Sequence, residues 1–143
     1  DSKLGFDQEI MKVIDNYQVG VIILAGYMRI LSADFISKYS GKILNIHPSL
    51  LPKFPGLNTH QRAIDASEKK HGASVHFVTE EVDGGPVIAQ QSVNIDSTDN
   101  PQTLAKKVLE KEHVLYPQVI RWYTQGRLKL LNNKTVILDR KII

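Results

Sequence analysis

The sequence predicts an α/β protein with a mostly parallel central sheet flanked by helices and an antiparallel hairpin at its C-terminal end. Three observations carry that expectation. Two short strand-like stretches, residues 21 to 25, apolar throughout, and residues 42 to 46, bracket a helix-like segment, and strand, helix, strand is the unit that lays parallel strands side by side. A long stretch from Pro101 to about Thr124 opens with helix-start signals. Two β-rich runs near the end flank Asn132-Asn-Lys134.

Each element has a local reason. Phe6, Ile10, Val13, Ile14 and Tyr17 recur at three- and four-residue spacing, which predicts an amphipathic helix over residues 6 to 17 ended by Gly20. The run from Val21 to Ala25 is apolar at every position, as expected of a strand buried on both faces. Ser32 is a candidate N-cap for a helix over residues 32 to 39 that stops at Gly41. A second buried strand follows. Pro48, Pro52, Pro55 and Gly56 forbid a regular element and predict an ordered, restricted loop over residues 47 to 59. A helix is expected from about His60 to Lys70. Residues 73 to 79 and 86 to 95 are rich in Val, Ile and Phe and predict two strands joined by a turn-containing loop, Glu80-Glu-Val-Asp-Gly-Gly85. Asp99 and Asn100 are cap candidates for the long helix, Pro101 suits an early helical position, and Pro117 is a candidate kink. Residues 128 to 132 and 135 to 139 form the terminal hairpin.

At 143 residues, 42% of them hydrophobic, the chain has the size and apolar content of one domain with a real core, without repeats or linker. No apolar run approaches membrane-spanning length and none of the first residues forms a signal-peptide core, so no membrane partner is expected. Zero cysteines exclude disulfides, thiolate nucleophiles and cysteine-ligated metals, and fit a reducing compartment. The net charge is +3 and the pI about 9.1, but the cations are scattered rather than grouped, so no nucleic-acid partner is expected. The same excess suits attraction of an anionic small substrate or plain solubility. The chain opens on Asp1, without an initiator methionine and close to a helical stretch, which predicts further sequence upstream.

Asn45 and His47 stand two apart at the end of an expected strand, so their side chains share a face. A neutral amide and an imidazole able to carry a proton could aim N–H groups at one developing oxyanion. The alternative reading of the pair is an asparagine capping a turn beside a partly exposed histidine. Asp83 lies in Val82-Asp-Gly-Gly-Pro86, where the glycines permit positive φ and close approach of a backbone or ligand. A carboxylate there, brought beside His47, favours the charged imidazole and can take up a proton directly or through water. Asp-Gly is equally a common tight-turn signal. His60, His71 and His76 show neither the helical i, i+4 pair nor the short cluster of usual zinc motifs, so no metal is expected. Met28 and Arg29 fall just past a buried strand, at the end where ligands collect in such sheets. Glu112, beside His113 in the long helix, reads by default as a surface charge.

Four segments then carry a resemblance. Leu24-Ala-Gly-Tyr-Met-Arg-Ile-Leu31, Asn45-Ile-His-Pro-Ser-Leu-Leu-Pro-Lys-Phe-Pro-Gly56, His71-Gly-Ala-Ser-Val-His-Phe-Val78 and Asp83-Gly-Gly-Pro86 closely resemble the phosphoribosylglycinamide formyltransferases, at matching spacing over essentially the whole chain. Asn-x-His-x-Ser-Leu-Leu-Pro alone marks the wider group of 10-formyltetrahydrofolate enzymes, which includes methionyl-tRNA formyltransferase and formyltetrahydrofolate hydrolase. Lys53-Phe-Pro-Gly-Leu57 narrows the choice, since the tRNA enzyme resembles Arg-Gly-Ala-Ala-Pro after its Leu-Leu-Pro.

The resemblance implies a Rossmann-like formyltransferase fold and a cytoplasmic enzyme of purine synthesis, monomeric or weakly dimeric. It implies that 10-formyltetrahydrofolate is co-substrate, glycinamide ribonucleotide is acceptor and no metal takes part. Asn45, His47 and Asp83 are the implied catalytic residues: Asn45 and a protonated His47 stabilise the oxyanion, while Asp83 keeps His47 charged and helps move the proton. The folate would lie against Arg29, Ile30 and Leu31 and the loop Thr79, Glu80, Glu81, Val82 and Asp83. Met28, Asn45 and Glu112 would line the ribonucleotide side, with Glu112 facing its sugar or amine end. The family opens with a strand, Gly-rich loop and helix that hold the substrate phosphate through helix-start N–H groups. That segment has no counterpart in residues 1 to 143, so a single formyltransferase domain lacking it is expected to bind the ribonucleotide poorly. Asn58 stands where some relatives carry histidine. The alternatives are formyltetrahydrofolate hydrolase, with water replacing the amine, and a non-catalytic folate-binding module.

Overall fold

The computed structural model describes residues 3–27 and 29–143. Helix α1 (Lys3–Tyr17) leads to strand β1 (Ile22–Leu24), helix α2 (Ala33–Lys38) and strand β2 (Ile43–His47). After the proline-rich loop come α3 (Thr59–Asp65), β3 (Lys70–Phe77), β4 (Val87–Asn94) and the long α4 (Pro101–Thr124). Strands β5 (Leu128–Leu131), β6 (Thr135–Leu138) and β7 (Lys141–Ile142) form a separate three-stranded sheet.

The main sheet has the order β1-β2-β3-β4. Its parallel part is the pair β1 and β2, joined through α2 as the strand, helix, strand reading requires; β3 and β4 continue antiparallel. The sheet among the described residues is therefore mixed, which narrows the expectation of a mostly parallel one. The short connection over residues 78 to 86 returns β4 antiparallel to β3, since parallel pairing needs a long crossover, whereas β3 pairs antiparallel with β2 after a longer connection that carries α3.

Strand β2 is buried on both faces, with Ile43 and Leu44 at 1% and 0% exposure. Ile43 joins a cluster with Leu31, Phe35, Ile36 and Tyr39 beneath α1 and α2. Leu44 joins Val75, Phe77, Leu104, Val108, Leu115 and Val119 beneath α4. Consecutive side chains point to opposite faces, so the odd-numbered positions of β2, including Asn45 and His47, share the α2 face. Tyr116 of α4 donates its hydroxyl toward the carbonyls of Leu24 and Leu44, at 2.5 and 3.1 Å, and so fastens the helix across both parallel strands.

Local signals held where they were local. Ser32 Oγ accepts from Phe35 N (3.2 Å) as the N-cap of α2. Asn100 and Thr103 form a reciprocal capping box ahead of Pro101 at the start of α4, and the helix runs through Pro117 to Thr124. Asn132 and Asn133, both at positive φ, turn β5 into β6. Three expectations changed. In α1 the buried side is Asp7, Ile10, Met11 and Ile14, while Phe6, Val13 and Tyr17 are exposed; residues 7, 10, 11 and 14 are the i, i+3, i+4, i+7 row of one helix face. Ile23, central to β1, is 37% exposed because it lies at the edge of the sheet on the face away from the α1–α2 cluster. Helix α3 ends at Asp65, since Ser67 takes a left-handed φ of 54° and Lys70 pairs with Asn94 as the first residue of β3. Helix-forming Glu68, Lys69 and Lys70 are thus overridden by sheet pairing. No helix among the described residues is long and apolar enough to cross a membrane.

Candidate active site

The site forms where β2 ends. Asn45 faces His76 and His47 faces Ser74 across the antiparallel β2–β3 pair, so four polar side chains share one face of an otherwise apolar sheet. His47 is 6% exposed, and its Nε2 lies 2.9 Å from the Phe54 carbonyl oxygen. A carbonyl only accepts, so Nε2 carries a hydrogen and donates it. The other ring nitrogen, Nδ1, sits 3.6 Å from Asp83 Oδ1. That gap is too long for a good hydrogen bond and short enough for strong attraction once the ring is charged.

The carboxylate is fixed independently: Asp83 Oδ2 accepts from Gly56 N at 2.8 Å. Asp83 itself holds the positive φ (51°) that the sequence suggested for its glycines. Gly84 and Gly85 serve close approach instead. A Cβ on Gly85 would lie 1.8 Å from the Phe77 carbonyl oxygen, and one on Gly84 would lie 2.3 Å from Glu81 Cγ.

His76 joins this polar face beside Asn45. Its Nδ1–H donates to the Phe77 carbonyl at 2.9 Å, leaving Nε2 to accept from Asn45 Nδ2 at 3.4 Å. Burial holds its imidazole below the ordinary value, with the nearby charge of His47 adding to the effect, so it stays neutral in this tautomer. Asn45 is thereby turned with one amide hydrogen toward His76 and the other left over. The signal was present in the alternation Val75-His76-Phe77, which sets a polar ring opposite Asn45 between two fully buried apolar residues.

The remaining expected positions divide. Leu31 is buried and packs in the same cluster as Val78, which brings the 29–31 segment against the strand end that leads into Thr79. Asp7 Oδ2 accepts from Ser32 N at 2.6 Å and the Phe6 ring lies 3.9 Å beneath the Arg29 guanidinium, so α1 anchors that segment at two points. Ile30 and Val82 are exposed, at 54% and 57%. Thr79, Glu80 and Glu81 line a surface cleft of about 350 Å³ with Ile36, Ser37, Ser40 and Asn133. This cleft does not include Asn45, His47 or Asp83. Glu112 is half-buried rather than a free surface charge; burial pushes its carboxyl up, while His113 and His47 pull it the other way. Met28 lies outside the described residues. Asn58 starts α3 in a left-handed conformation (φ 56°) and caps nothing with its side chain. Among the described residues there is no group of three His, Asp or Glu able to hold a metal ion.

A doubly buried β2, an asparagine and histidine on one face at its carboxyl end, and an aspartate delivered by the β3–β4 loop meet at one end of a Rossmann-like sheet. The chain matches the family described as formyl transferase over residues 1–120 and belongs to it. It is 50% identical over 133 residues to the phosphoribosylglycinamide formyltransferase of Escherichia coli (strain K12), covering 93% of this chain and 63% of that protein. The Haemophilus influenzae enzyme of the same name is 48% identical, covering 99% of this chain and 66% of its own length. The chain thus spans a little under two thirds of the curated relatives it matches. Among solved structures, the phosphoribosylglycinamide formyltransferase of Coxiella burnetii superposes with a TM-score of 0.94 at 48% identity, over 99% of this chain and 66% of that one. A formyltetrahydrofolate deformylase from Pseudomonas syringae superposes at 0.86 with 30% identity, over 92% of this chain and 44% of that one.

Proposed function

We propose that this chain carries the chemistry and folate side of a phosphoribosylglycinamide formyltransferase, which moves the formyl group of 10-formyltetrahydrofolate to the amine of glycinamide ribonucleotide. The observation that carries the reading is His47, held through Nε2–H by the Phe54 carbonyl so that Nδ1 is the ring nitrogen that faces Asp83. Asn45 and doubly protonated His47 donate N–H groups to the formyl oxygen as the attacking amine adds and the oxygen gains charge. Asp83 favours the charged ring and, directly or through water, takes the proton the amine loses. That proton goes to the folate nitrogen as the bond from it to the formyl carbon breaks. His76 fixes the direction of the Asn45 amide throughout.

Folate is proposed to rest on Arg29, Ile30 and Leu31 and on residues 79 to 83. Asn45, Met28 and Glu112 are proposed to face the ribonucleotide, whose phosphate would be held within the third of the relatives' length that this chain does not span. Water in place of the amine would make the same site a formyltetrahydrofolate hydrolase, a reading favoured only by the likeness to the Pseudomonas deformylase. The complete protein with His47→Ala or Asp83→Asn should lose formyl transfer by about 10²–10³-fold, the usual cost of an oxyanion donor or acid/base partner, with its melting temperature nearly unchanged. Near-normal turnover in either variant refutes the roles given, and steady formate release without ribonucleotide would select the hydrolase.

A further inference from the structure

Two consecutive peptide groups of the proline-rich loop hold the two reacting side chains. The Phe54 carbonyl receives the His47 proton at 2.9 Å, and Gly56 N–H, in the next peptide group, donates to Asp83 at 2.8 Å. This segment does not rest in a relaxed conformation: Phe54 has a φ of 54°, in the left-handed region where a side chain with a Cβ is strained, and Gly56 a φ of 82°. Something outside the segment must hold it.

Arg62 of α3 does so. Its Nη1 donates to the Pro55 carbonyl at 2.5 Å and to the Leu57 carbonyl at 3.0 Å, and its guanidinium lies 5.5 Å from the centre of the Phe54 ring. The Pro55 oxygen and the Gly56 N–H belong to one planar trans peptide group, in which they point in opposite directions. The plane is therefore gripped on its oxygen by Arg62 and on its hydrogen by Asp83. A cation on a carbonyl oxygen also strengthens the N–H of the same amide as a donor, because hydrogen bonds in a chain polarise one another. Arginine suits the task since it presents several fixed donors and cannot lose its charge.

We infer that Arg62 is a positioning residue for formyl transfer, acting through the Pro55–Gly56 peptide to set the donor to Asp83 and, through Phe54, the tautomer of His47. This rests on the catalytic reading of His47 and Asp83 given above. Without Arg62 the peptide is free to turn over and the two side chains lose their common frame.

The test uses the complete protein with Arg62→Met and Arg62→Lys. Misplacement of reacting groups by a fraction of an ångström is expected to lower kcat about tenfold in Arg62→Met, with KM for the folate within about twofold because the contacts of Arg62 are to the loop over residues 54 to 57 and not to residues 29 to 31 or 79 to 82. Arg62→Lys, which keeps the charge and one donor, is expected to recover most of that loss. Nitrogen-detected NMR of the histidine rings at alkaline pH, where imidazoles carry one hydrogen, should show His47 as the Nε2–H tautomer in the parent protein and a tautomer mixture in Arg62→Met. An unchanged kcat, or a lower kcat with the His47 signals unaltered, overturns the inference. If Arg62→Met does not fold, Arg62→Gln, neutral but still a donor, is read by the same spectra and rates. Failure of the parent protein to formylate the ribonucleotide would count against the function instead, and the His47 spectra would still decide the role of Arg62.

Discussion

Acid should weaken this fold through one buried pair. His71, the second residue of β3, is 1% exposed; its Nε2 meets His60 Nδ1 at 3.1 Å, the ring of Phe54 stands edge-on to it, and its own Nδ1 has no partner among the described residues. Two imidazole nitrogens at that distance share a single hydrogen. Charging both rings would press N–H against N–H inside the protein. Burial, with the charges of His60 and His47 adding to it, accordingly pushes His71 from 6.5 down to about 4. The sign follows from proton uptake: between these values the unfolded chain binds a proton that the folded one refuses, so stability is full above about 6.5 and is lost as pH falls toward 4. The gap between 6.5 and about 4 corresponds to roughly 3 kcal/mol at most. Urea unfolding at pH 7.5, 6, 5 and 4.5, followed through Trp122, would give the curve. His71→Phe keeps a ring in the same space and cannot titrate, so it should be less stable than the parent at pH 7.5 yet lose far less on acidification. Some slope remains, because His60 and His76 are also held below their ordinary values by burial. A variant with the same acid dependence as the parent would refute the reasoning.

Two other outcomes are expected. Gly85→Ala drives a Cβ to within 1.8 Å of the Phe77 carbonyl oxygen, a backbone atom that cannot yield cheaply, so calorimetry should show a loss of about 3 kcal/mol or more; a melting temperature within a degree or two of the parent would contradict the packing described. Asn100→Ala removes the reciprocal cap at the start of α4 and should cost about 1 kcal/mol in urea unfolding without altering activity, whereas no loss would mean that the exposed cap is satisfied by water.

What the sequence disclosed, and what it hid, follows from where each signal resides. The caps at Ser32 and Asn100 and the turn at Asn132 and Asn133 are written in adjacent letters, and each sits where it was expected. The buried row of α1 and the early end of α3 are decided by distant partners, and there the structure departs from the pattern of neighbouring residues. The site divides in the same way. Asn45, His47 and Asp83 were legible from motif and residue type, and the structure brings His47 and Asp83 to 3.6 Å. Their supports were not. The Phe54 carbonyl and the Gly56 N–H are main-chain atoms that every residue possesses, so no letter announces them. His76 does have a letter, but its meaning appears only when β3 is laid against β2.

The hydroxyl of Tyr116, in contact with the carbonyls of Leu24 and Leu44, has a consequence for an atom it never touches. A phenol ring does not stretch, so it acts as a strut of set length between α4 and the mouth of the two parallel strands. Glu112 rides one turn earlier on the same helix, half-buried and within reach of the His47 charge. The separation of that carboxylate from that imidazole is therefore set by a third residue, and a shorter strut would let the helix settle and change the charge each of the two groups feels.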